Sequence, residues 1–89
     1  MRLAGSETVI LNLLVVRGPS YGLELVKASR GKLTRGGIYV MLGRMEEKGF
    51  VTSASGDSGR RVYRPTALGE RALMAAKLFA GQIKVTVKP

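Results

Sequence analysis

The stretch Thr34-Arg-Gly-Gly-Ile-Tyr-Val-Met-Leu-Gly-Arg-Met-Glu-Glu-Lys-Gly49 constrains the fold more than any other part of the chain. Thr34 has the hydroxyl of a helix N-cap, and Gly49 suits a left-handed C-terminal stop. Between them Ile38, Leu42 and Met45 recur at i, i+4 and i+7, one buried stripe of a 3.6-residue period. The rest of the helix does not look like a simple cover for a core. It carries Arg35, Gly36, Tyr39, Val40, Gly43 and Arg44, with acid only at Glu46 and Glu47. Gly36, Gly37 and Gly43 each cost a helix about 1 kcal/mol relative to alanine. A small, flat, positive face fits a DNA major groove, which admits a helix whose N-terminal half approaches bases and phosphates.

Charge supports a polyanionic partner. Fifteen Lys and Arg against six Asp and Glu leave +9 on 89 residues, so the chain seeks nucleic acid or an acidic membrane surface. The basic residues are spread through the segments expected to fold, which favours a shaped basic surface over a disordered arm. That length makes one domain with a modest core, and 45% hydrophobic residues argue against disorder. There is no cysteine and no histidine, so disulfides, Cys/His metal sites and imidazole triads are excluded. The acids are dispersed, so no carboxylate pair suggests acid–base chemistry; neither an enzyme nor a cofactor is expected. No apolar run is long enough to span a membrane. The start, Met-Arg-Leu-Ala-Gly-Ser, lacks the apolar run of a secretory signal, which makes the cytoplasm the simplest compartment.

Taken in order, Ser6 is placed to cap a first helix, with Glu7 in its positively polarised first turn. Val9, Ile10, Leu13, Leu14 and Val16 make that helix apolar on more than one side, and Gly18-Pro19 stops it. A short second helix is expected from Ser20 to about Ser29, with Tyr21 and Leu25 facing the core and Glu24 and Lys27 outward. Arg30-Gly31-Lys32 then connects to Leu33 and Thr34, which makes a helix-turn-helix candidate. Beyond Gly49, Phe50–Ala54 and Arg60–Arg64 read as strands around the turn Gly56-Asp-Ser-Gly59. Strand parity puts Arg60, Val62 and Arg64 on one face and Arg61, Tyr63 and Pro65 on the other, with Tyr63 in the core. A hairpin tip bearing Arg60 and Arg61 suits a phosphate backbone or a minor groove, the plain alternative being a solvated turn. Thr66 caps a last helix, Ala67 to about Ala80, apolar nearly all round. The tail 81–89 alternates Ile83, Val85 and Val87, as an edge strand would, or is frayed. The expected architecture is mainly α with a small β-hairpin (α+β), a winged helix-turn-helix over residues 1–80.

Three segments also resemble the PadR family of transcriptional regulators. Gly18-Pro-Ser-Tyr-Gly-Leu-Glu-Leu25 is similar to its Gly-x-x-Tyr-Gly-Tyr-Glu-Ile motif. Thr34 to Val51 resembles the family's Ser-x-Gly-Thr-Leu-Tyr-x-x-Leu-x-Arg-Leu-Glu-x-x-Gly-Leu-Val helix. Arg60 to Gly69 resembles its Arg-x-Tyr-Tyr-x-Leu-Thr-x-x-Gly wing and helix start. The match runs from about Ile10 to Leu78 with the motifs in the same order. It implies a dimeric DNA-binding regulator whose third helix enters the major groove. It also implies that Tyr39 and the residues around Arg35 and Gly36 touch phosphates or bases. Two departures stand out: Gly37 replaces a frequent Thr, and Pro65 replaces Leu. Family members carry more C-terminal helix for dimerisation, and some sense ligands beside it; whether a small-molecule effector binds this chain, which ends at Pro89, stays open.

These readings converge on a sequence-specific repressor that binds double-stranded DNA as a homodimer. Arg35 and Arg44 are the first choices for groove contacts, Arg44 to guanine or phosphate. Lys32, Arg60, Arg61 and Arg64 would neutralise phosphates, which sets register without reading sequence. Thr34 and Gly36 sit at the helix start that meets the duplex, and Tyr39 either bonds a phosphate or is a half-buried core aromatic. For the dimer interface the candidates are Leu68, Ala72, Leu73, Ala76 and Phe79: Leu68, Ala72, Ala75 and Phe79 form one stripe of the last helix and Leu73, Ala76 and Ala80 a neighbouring one, only one of which a small domain can cover. A small RNA-binding protein and a winged-helix protein-interaction module are the alternatives; few aromatics are available for single-stranded RNA, and the basic wing disfavours the second.

Overall fold

The computed structural model describes residues 3–87, with side chains through Phe79. Its first helix, α1 (Gly5–Arg17), starts with Ala4 rather than Ser6 in the cap position. Glu7 does the capping: Oε1 accepts from the Ala4 N–H at 2.9 Å, and Oε2 pairs with Lys48 Nζ at 2.9 Å. A carboxylate that reaches back to the cap N–H satisfies a donor that no helical bond can use, so the cap moves to where Glu7 can reach it. Burial pushes the Glu7 carboxyl up, but the Ala4 bond and the bond and charge of Lys48 outweigh it and hold it below the usual glutamate value.

A lowered folded value contributes stability above the unfolded value, and that stability is lost as pH falls through the folded one. Lys48 is 42% exposed, so solvent screens its share. Glu7→Gln is expected to cost about 1 kcal/mol at pH 7. The gap from wild type should close in denaturant titrations near pH 3. An undiminished gap there would rule out the carboxylate as its source.

Between Pro19 and α2 (Gly22–Ala28) the chain departs from the expected continuous helix. Ser20 and Tyr21 form a two-residue strand, β1. It pairs antiparallel with β3 (Arg61–Pro65), Ser20 opposite Tyr63 and Tyr21 opposite Val62. A local cap and a distant strand edge act together here. The Tyr21 N–H is bonded at 2.7 Å to Glu24 Oε1, which starts the helix at Gly22 and frees Ser20 and Tyr21 to satisfy an open strand edge. With β2 (Val51–Ser55) the hairpin becomes a three-stranded sheet in the order β1-β3-β2. Ser53 lies opposite Tyr63, Ser55 opposite Arg61, and a 3-10 turn at Asp57–Gly59 closes the tip.

Helix α3 (Arg35–Glu47) is the one expected between Thr34 and Gly49. The Thr34 hydroxyl accepts from the Gly37 N–H at 3.1 Å. At the far end the Phe50 N–H donates to the Met45 carbonyl at 2.9 Å and the Gly49 N–H to that of Glu46 at 3.0 Å. Gly49 has φ +84°, the left-handed conformation that this paired closure needs. Phe50 is thereby turned into the core, which it shares with Ile38, Leu42 and Met45 of α3, Ile10, Leu11 and Leu14 of α1, and Leu25, Val51 and Tyr63. Burial pushes the Tyr63 phenol up, Glu46 and Tyr39 add to the rise, and Arg61 opposes it.

Thr66 ties α4 (Ala67–Val87) to this corner. Its hydroxyl donates to the Gly49 carbonyl and accepts from the Gly69 N–H at 3.0 Å, the expected cap with an added clamp on α3. Helix α4 then runs to Val87, through the point near Ala80 where a tail is expected. A helix satisfies its backbone internally, whereas the alternation of Ile83, Val85 and Val87 would need a sheet edge to pair with. The side chains of residues 80–87, and residues 88–89 altogether, lie outside the described set. Leu73 does not belong to an outer stripe: it is 4% exposed, inside the core, with Ala72 packed against it and Ala76 half-buried. Directly opposite on the wheel stand Met74 and Leu78, 59% and 61% exposed, flanked by Leu68 at 44% and Phe79 at 51%. The assignment of Leu73 to an intermolecular surface is corrected accordingly, because the domain's own core takes the Gly69–Leu73–Ala76 face.

Candidate nucleic-acid interface

At 100° per residue, the face of α3 opposite Ile38, Leu42 and Met45 is Gly36, Val40, Gly43 and Glu47. All four are exposed, and a Cβ placed on Gly36 or Gly43 would meet nothing within 4 Å. The middle of the outer face is thus a shallow, uncharged trough. The cations lie beside it, Arg35 on one flank and Arg44 on the other. Gly37 has a reason of its own: a Cβ there would stand 3.1 Å from Thr34 Oγ1, crowding the cap.

Tyr39 shares the Arg35 flank and is partly packed, as the half-buried reading expects. Its ring lies on Gly22, where an added Cβ would sit 2.7 Å from Tyr39 Cε1, yet the residue remains 51% exposed. The Tyr21-Gly22 pair and Tyr39 are therefore joined in space: the glycine makes room for the ring, which holds α3 against the start of α2. Nearby, Leu23, Glu24, Val26 and Lys27 of α2, Arg35 of α3 and Arg60 of the wing line one open cleft of about 370 Å³. Three cations face it against one acid, and Glu24 already accepts from the Tyr21 N–H.

The wing arginines are held differently from one another. The Arg60 guanidinium carbon stands 3.9 Å from the Tyr21 ring centroid, a cation–π stack that fixes the cation while leaving N–H edges for an anion. Tyr21 is therefore more than a core residue. Arg61 Nε donates to Ser53 Oγ at 3.0 Å, and the Ser53 hydroxyl donates to Glu46 Oε2 at 2.8 Å. This chain of bonds ties β3 and β2 to α3. Arg64 is exposed on the outer face of the sheet opposite Thr52, and Lys32 is exposed in the turn before Thr34.

Residues 10–75 match the sequence model of the transcriptional regulator PadR-like family. The chain belongs to that family. Its fold agrees: a PadR family transcription regulator from hypervirulent Clostridium difficile superposes with a TM-score of 0.79 at 27% identity, over 93% of this chain and 94% of that one. A transcriptional regulator from Clostridium thermocellum gives 0.69 at 29% identity, covering 93% and 90%. The PcaV transcriptional regulator from Streptomyces coelicolor, solved in complex with its natural ligand, gives 0.81 at 21% identity, over 99% of this chain and 63% of that one; here the likeness is one of fold. No curated protein matches the sequence. The winged helix-turn-helix architecture is thus established, as is membership in a family of DNA-binding transcriptional regulators.

In this PadR-like chain the expected basic residues are all exposed, but they do not form one patch. Arg35 and Arg60 line the same cleft, Arg44 lies on the other flank of α3, and Arg61 is held by Ser53. Sequence reasoning placed Lys27 only as a solvent-facing residue and did not connect Tyr21, Ser53 and Glu46 with the wing arginines. Nothing in the spacing joins Arg60 to Tyr21, 39 positions earlier. Val40 is the one large apolar residue on the outer stripe of α3.

Proposed function

We propose that this PadR-family protein is a sequence-specific transcriptional repressor that binds duplex DNA as a homodimer, with α3 in the major groove and the wing on the backbone. The observation that carries this reading is the outer face of α3: an open trough at Gly36 and Gly43 flanked by Arg35 and Arg44. Phosphates on one side meet Lys27, Arg35 and Arg60 around the cleft, with Thr34, Lys32 and Tyr39 at its edge; Arg61 and Arg64 serve the wing. Repression follows from occupancy, since a protein seated on a promoter excludes other proteins from it. The expected affinity for duplex DNA falls with salt at a log–log slope of about −0.9 per neutralised phosphate. Fluorescence anisotropy with a labelled duplex between 50 and 300 mM salt (roughly the range where phosphate contacts dominate) measures it, and binding that is flat across salt would sink the mechanism. Binding to folded RNA in place of duplex DNA would favour the alternative nucleic-acid reading.

The dimer reading rests on Met74 and Leu78, opposite the buried face of α4, with Leu68 and Phe79 beside them and Val15 and Val16 exposed on α1. Contiguous apolar surface of this kind is unfavourable in water unless covered. Two copies related by a two-fold axis would present two α3 helices to a near-palindromic site. Leu78→Asp is expected to give a stable monomer by sedimentation at micromolar concentration, with duplex binding lost or reduced to one-to-one. A wild type that already sediments as a monomer, with a one-to-one DNA complex, refutes the homodimer.

A further inference from the structure

Val40 is not explained by folding. It is 56% exposed, and a β-branched residue is a weaker helix former than alanine, lysine or glutamate at an exposed position. It stands between Gly36, one turn before, and Gly43, one turn after, neither with any atom within 4 Å of an added Cβ. Its two methyl groups are therefore the projection in the middle of the trough, with Arg35 and Arg44 to either side. On the duplex-binding reading above, on which this inference rests, those cations draw phosphates to the flanks and bring the groove floor to the centre.

An isopropyl group has no donor or acceptor, so it cannot pair with the polar edges of the bases. The apolar feature that a major groove offers is the C5-methyl of thymine, which cytosine lacks. We propose that Val40 is a specificity-determining residue that reads a thymine methyl, with Gly36 and Gly43 leaving the space for α3 to come that close. A bulkier side chain at either glycine would lift the helix and open a gap, and dispersion contacts fall off steeply across a gap of even half an ångström to one ångström.

The test removes the methyl from each side in turn. A random duplex library is selected with the wild-type full chain, and each thymine of the enriched site is then replaced by deoxyuridine, which lacks only the methyl. At one position in each half-site, the swap is expected to weaken binding about fourfold. Val40→Ala, at an exposed site where alanine favours the helix, should keep its thermal midpoint, bind the thymine duplex about as weakly, and no longer respond to the swap. An enriched site in which every swap is silent overturns the role of Val40. So does one in which the swap weakens Val40→Ala as much as wild type. Either result leaves duplex binding intact, whereas a library that enriches no sequence overturns the sequence-specific reading itself and the inference with it.

Discussion

Gly69→Ala is expected to be the most destabilising Gly→Ala substitution among the described residues. Gly69 sits in the first turn of α4, buried, where a Cβ would fall 2.1 Å from the Phe50 carbonyl oxygen and 3.1 Å from Leu11 Cδ2. The first of these is backbone and cannot swing away, so α4 has to shift. The same carbonyl accepts the Thr66 N–H at 3.0 Å, and Thr66 also holds the end of α3, so the displacement loosens the corner between the two helices. Alanine's better helix propensity returns at most about 1 kcal/mol. Overpacking against backbone costs about 3 kcal/mol or more, and it wins. A domain of this size has roughly 5–13 kcal/mol in all, so the loss is large and visible as a drop in both thermal and denaturant midpoints. A variant within about 0.5 kcal/mol of wild type would show that the helix start is not packed on Phe50 as described.

Gly36→Ala with Gly43→Ala should move stability and function in opposite directions. Both glycines are helical, neither has a positive φ, and an added methyl at each enters open space. The pair should therefore stabilise the free protein by about 1.5 kcal/mol, short of the full interior value because Gly36 lies in the first turn. If the trough is where α3 meets the floor of a groove, the same two methyls fill the space that close approach requires. Duplex affinity should then fall about a hundredfold, near 3 kcal/mol for two overpacked contacts. Thermal denaturation and anisotropy on one preparation test both halves. Higher stability with unchanged affinity would remove the outer face of α3 from the interface while leaving the fold intact.

What the residues determine by themselves is whatever depends on neighbours a few positions apart. Thr34, Gly49 and the Ile38–Leu42–Met45 stripe specify α3, its two ends and its buried side, because capping and helical periodicity act within one or two turns. Parity along Arg61–Pro65 correctly sends Tyr63 inward, because a pleated strand alternates whatever it packs against. The glycines and cations on the rest of α3 likewise leave that face small at its centre and positive at its flanks, the basis of the duplex reading proposed above. Only the tertiary structure decides features that join distant positions. Glu7 captures Lys48 across 41 positions, and with it the cap shifts from Ser6 to Ala4. Ser20 and Tyr21 leave the helix that their spacing suggests because β3 has an edge to fill. Leu73, one of two equally apolar stripes by count, goes inward because Gly69 lets that side of α4 come up against Phe50. Arg60 and Arg61 look alike in sequence, yet one is stacked on Tyr21 and the other bonded to Ser53. Periodicity can say that a side is apolar or basic, but which of two such sides is covered, and which cation is held, is set by the close packing of the whole chain.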